Sequence, residues 1–140
     1  MAENADDNRS RLAPDPEEFA VLVAAAYEKL PASFRALCGD VVIHTADFAD
    51  RDALDDLGID DPMELSGLYE GIALTKKSVT DPPAIPARVH LYRKPIIAEA
   101  VERGDRSLKA LVTHVLVHEI GHHFGLSDED MHRIEEACDA

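Results

Sequence analysis

The stretch LVTHVLVHEIGHHFGLSDED, residues 111–130, holds four of the chain's seven histidines inside an otherwise apolar helical run. Its core is His118-Glu119-Ile120-Gly121-His122, an H-E-x-x-H pattern. Residues four apart on a helix lie about 40° apart around the axis and roughly 6 Å along it, so two imidazoles at that spacing can converge on one ion. Glu119 lies about 100° round from His118, beside such an ion, where its carboxylate can take a proton from an activated water.

The continuation adds His123, Phe124, Gly125, Leu126, Ser127 and Asp128, extending the pattern to H-E-x-x-H-x-x-G-x-x-D. One helix cannot readily give three ligands to a tetrahedral ion, so the chain must turn back. Gly125 permits a positive φ for that turn, and Asp128 is then able to reach the ion from the other side. A fourth position is left open for water, as a catalytic zinc site requires.

These residues resemble the motif of the zincin metallopeptidases, and more closely that of the small bacterial zincin-like metallopeptidases, or minimal metalloproteases. GLYEGIALT (67–75), VHLYRKPI (89–96) and VLVHEIGHHFGLSDEDM (115–131) carry the resemblance, which runs from about Glu17 to Met131. It implies a Zn2+ site of His118, His122 and Asp128, with Glu119 as general base, on an α+β zincin-like core. Two features depart from larger relatives. Larger relatives carry a methionine turn well downstream of the third ligand, whereas only 12 residues follow Asp128 here, and Met131, on the last helix, is at most an apolar floor near the site and is not equated with that turn. Little chain is left to build a second wall, so a shallow, open site is expected.

Other residues receive plainer readings. His114 extends the stripe, but its Cα should lie about 12 Å from that of His122, so it is read as a satisfied buried residue or a support to the ligands. His123 is read as packing or exposed. The acidic SDED segment also suits a first helical turn without any metal, so Asp130 and Glu129 stand as substitutes for Asp128. Glu135 and Glu136 are the only glutamates after Asp130 and follow too closely for a distant glutamate ligand. Tyr69 and Tyr92 are read as strand packing, with oxyanion support the lesser alternative.

The 140 residues fit one domain. Residues 1–14 read as a disordered acidic tail and 15–140 as a single domain. Pro16 to Leu30 form an amphipathic helix capped by Asp15, and DVVIHTADF, GLYEGIALT and ARVHLYRK are strand candidates. The proline-bearing KKSVTDPPAIP is a loop. A short helix runs from Pro95 to Arg103, stopped at Gly104. The motif helix follows, capped by Asp105 or Ser107, and a last helix starts at Ser127. The fold class is therefore α+β: a small mixed sheet of three or four strands packed on the long active-site helix.

A net charge of −14 repels phosphate backbones, which argues against nucleic acid. No apolar run is long enough for a membrane span. With no export signal, Cys38 and Cys138 are expected as thiols in the cytoplasm. The expected function is that of a monomeric, zinc-dependent endopeptidase acting on peptide or protein substrates. The rival is a zincin-fold metal-binding interaction module with little or no peptidase activity.

Overall fold

The structure, a computed structural model, describes residues 13–70, 87–104 and 107–139. Helix α1 (Pro16–Glu28) opens on a reciprocal cap: the Asp15 carboxylate accepts from the Glu18 backbone N–H, and the Glu18 carboxylate accepts from that of Asp15. It buries Phe19, Val23 and Ala26. After Pro31, helix α2 (Ala32–Cys38) buries Phe34 and Cys38. Strand β1 (Val42–Ala46) leads to helix α3 (Arg51–Leu57) and a 3-10 turn at Pro62–Glu64. Neither α2 nor α3 is among the expected elements, because at seven residues each is too short for helical periodicity to stand out.

Strands β2 (Gly67–Glu70) and β3 (Arg88–Tyr92) complete the sheet among the described residues. The remainder of GLYEGIALT and the whole of the proline-bearing loop lie outside them. The strand order is β1-β3-β2, with β1 parallel and β2 antiparallel to the central β3. The sheet is therefore mixed, as expected. Helix α4 (Arg93–Arg103) starts two residues before the expected Pro95, since a proline is tolerated in the first helical turn. Helix α5 (Leu108–His123) is capped by Ser107, whose Oγ accepts from Ala110 N–H at 3.1 Å.

The pleat sends Val89 and Leu91 to one face of β3, where they meet Phe19 and Val23 of α1 and Leu111, Val112, Leu116 and Ile120 of α5 in the main core. Each such side chain contributes about 1.5–3 kcal/mol on full burial. The other face of the sheet carries a smaller cluster of Ala49, Leu54 and Tyr92, with Leu65 and Leu68 beside it. No helix among the described residues is long and apolar enough to cross a membrane. Cys38 and Cys138 are both thiols.

The chain then turns into helix α6 (Asp128–Asp139). Gly125 takes a φ of 74°, as the turn requires, and Leu126 N–H donates to Gly121 O at 2.9 Å. Ser127 Oγ accepts from Asp130 N–H, capping α6. Helices α5 and α6 form a hairpin whose contact centres on Met131, which is fully buried. A Cβ placed on Gly121 would lie 2.5 Å from Met131 Sδ and 2.8 Å from its Cγ.

Arg93 joins three segments. Its Nε donates to Asp47 Oδ1 at 2.7 Å and its Nη1 to the carbonyl of Pro14 at 2.9 Å. Pro14 itself is buried, so the chain is held against the fold two residues before α1 begins.

The Gly121→Ala variant should unfold at lower denaturant, with a net loss of about 1–2 kcal/mol, since overpacking against Met131 outweighs the gain in helix propensity; urea unfolding checks this. The Arg93 guanidinium holds the Asp47 carboxyl below the ordinary aspartate value. That ion pair therefore adds stability above about pH 4 and loses it as the pH falls through the lowered value. The stability difference between wild type and Asp47→Asn should accordingly be largest near neutrality and shrink on acidification, as followed by thermal unfolding across pH.

Candidate metal centre

Helix α5 carries His114, His118 and His122 one turn apart on a single stripe, because their spacing of four nearly matches the helical repeat. The His118 and His122 rings are 5.5 Å apart between centroids and nearly perpendicular, at 87°. The rings of His114 and His118 are closer, at 4.0 Å, and tilted by 37°. Burial, followed by the neighbouring His114, pushes His118 below the ordinary histidine value, which keeps a ring lone pair available to a metal.

Glu119 is half-buried against the sheet. A Cβ on Gly67, the first residue of β2, would lie 3.2 Å from Glu119 Cγ and 2.8 Å from Val115 Cγ1. Only a residue without a side chain lets this edge strand come so near the motif helix. Burial raises the Glu119 carboxyl above its ordinary value, and His122 partly opposes the shift. A carboxylate in that setting is a stronger base than one in water.

Helix α6 returns along α5 and brings Glu135 level with the histidine stripe. Glu135 Oε1 lies 2.7 Å from His114 Nδ1, and Oε2 lies 3.4 Å from His118 Nε2. Among the described residues, His114, His118 and Glu135 form a group of three with ligand atoms all within 4.8 Å of one another. Two imidazole nitrogens and a carboxylate oxygen at such distances suit zinc, so the residues present fit the ion.

The sequence-predicted residues are thus placed unequally. His118 and His122 share the stripe, and Glu119 stands beside them at the sheet edge. Asp128 is exposed in the first turn of α6 with Glu129 and Asp130, and it is not in the group that contains His118. Glu135, judged too near in sequence, is brought to His118 because a helical hairpin returns a residue seven positions beyond Asp128 to the middle of the preceding helix. The signal available for it was the spacing of His114, four before His118, combined with the turn at Gly125.

The remaining candidates are packing groups with some electrostatic contact. His123 sets its ring 4.3 Å from that of Tyr69, which also meets Phe124. Tyr92 is buried, and its hydroxyl is pushed up to about 12 by burial and then by the negative charges of Glu70, Asp50 and Glu119. Met131 lies directly beneath the motif helix at Gly121.

No curated protein matches the chain. A family profile, described as zincin-like metallopeptidase, matches residues 38–137, well over half of the chain, from the end of α2 through most of α6. The matched region contains the whole sheet, the histidine stripe, Glu119 and the hairpin that closes on them. The chain belongs to the zincin-like metallopeptidase family.

Proposed function

We propose that the protein is a zinc-dependent peptidase that hydrolyses internal bonds of extended peptides. The observation that carries this reading is the position of Glu119: one residue from His118, half-buried, and pressed against the edge strand β2 at Gly67. His118 and His122 would hold the zinc ion, with Asp128 as the third ligand. A zinc ion held there supplies Lewis acidity for attack of water on an amide carbonyl.

The chain's own groups do the rest. The β2 backbone has β3 on one side and no strand on the other among the described residues, so an extended peptide can pair with it through main-chain hydrogen bonds. This pairing would lay the peptide along the motif helix, next to Glu119. The Glu119 carboxylate then removes a proton from the attacking water and delivers it to the departing amine nitrogen, so the base is restored in each turnover. The net charge of −14 favours basic or neutral peptides over acidic ones.

Removing a general base without removing a metal ligand separates the two functions. The Glu119→Ala protein should keep its zinc, measured by metal analysis after dialysis, and cleave an unfolded substrate about 10²–10⁴-fold more slowly. His118→Ala should lose both zinc and cleavage. A wild type that holds zinc and cleaves nothing in a broad peptide library would replace the peptidase reading with that of a metal-binding interaction module.

A further inference from the structure

The proposed catalytic set leaves His114 and Glu135 unused, although both lie against His118. Their side chains are 27% and 16% exposed, and that of His118 is 28% exposed, so the cluster is sheltered but reachable from solvent. In a tetrahedral zinc site, metal–ligand distances of about 2.0–2.2 Å place neighbouring ligand atoms roughly 3.3–3.5 Å apart. The 3.4 Å separation of His118 Nε2 and Glu135 Oε2 already has that value. The 2.7 Å contact between His114 Nδ1 and Glu135 Oε1 needs to open only by a fraction of an ångström as an ion replaces the shared proton.

We propose that His114, His118 and Glu135 form a second divalent-cation site that shares His118 with the motif site and competes with it for one ion. The two-nitrogen, one-oxygen donor set suits zinc and other late first-row divalent metals. Because His114 and His122 lie one turn before and one turn after His118, the two positions are displaced along α5 by roughly 6 Å. Glu119 interacts electrostatically with His122, and an ion at the second site lies on the side of His118 away from it. The second position is therefore a holding site, occupied at the expense of the arrangement that Glu119 can use. The competition rests on the proposed peptidase site, whereas the cation site itself does not.

Calorimetric zinc titration of folded full-length variants tests the site, with circular dichroism confirming their helix content. His122→Ala/Asp128→Ala, which lacks two motif ligands, should still bind one zinc per chain, and adding Glu135→Gln should weaken that binding at least about 100-fold. Wild type should bind one zinc, because His118 serves only one ion at a time. Loss of zinc from the double variant overturns the second site, as does binding that is indifferent to Glu135→Gln. Two zinc ions on the wild type overturn the sharing. Should the double variant fail to fold, imidazole nitrogen spectra of the wild type decide: sub-equimolar zinc must shift the His114 ring, and an unmoved His114 overturns the proposal. If the motif reading fails instead, His114→Ala/Glu135→Gln loses all zinc while the first double variant keeps it.

Discussion

The close approach of helices α5 and α6, made possible where Met131 lies on Gly121, is the contact on which the rest of the site depends. Met131 is fully buried, and no side chain at position 121 leaves room for it. With the helices held at that distance, the return path of α6 is fixed, and Glu135 arrives beside His114 and His118. The left-handed turn at Gly125 and the Leu126 to Gly121 hydrogen bond set the direction of that return. A longer or looser connection would leave the histidine stripe facing water instead of a carboxylate.

A second close approach acts from the other side of the same helix. Gly67 lets the edge of the sheet touch Val115 and Glu119, so the carboxylate of the motif is confined between a strand backbone and its own helix. Helix α5 is thus clamped by α6 on one flank and by β2 on another, while Leu111, Val112, Leu116 and Ile120 anchor it in the core. Its chemistry is concentrated on the small part of its surface that remains accessible. Such a scaffold costs little chain, so the candidate metal site is assembled from α5, α6 and one strand edge.

Much of the frame was legible in order along the chain. Apolar spacing and the Asp15 cap located α1, the β-branched run located β1, and Ser107, Gly125 and Ser127 marked the limits of the last two helices. These are local signals, carried by backbone preferences and by side chains that bond within three or four residues. Helices α2 and α3 escaped because each is only seven residues long and is stabilised by one or two buried side chains, Phe34 and Cys38 in the first and Leu54 in the second.

The sequence by itself determined the presence of the H-E-x-x-H pattern, the helix that carries it and the placement of His118, Glu119 and His122 around that helix, since helical geometry depends only on residue spacing. Only the tertiary structure decided what faces those residues. Sequence separation favoured Asp128 over Glu135 as a partner of the stripe; the packed hairpin carries Glu135 back to His118, while Asp128 lies exposed at the start of α6. The physical reason is that which side chains meet across the hairpin is set by the distance between two packed helices, and that distance is fixed by a glycine and a buried methionine whose contact no periodicity along the chain encodes.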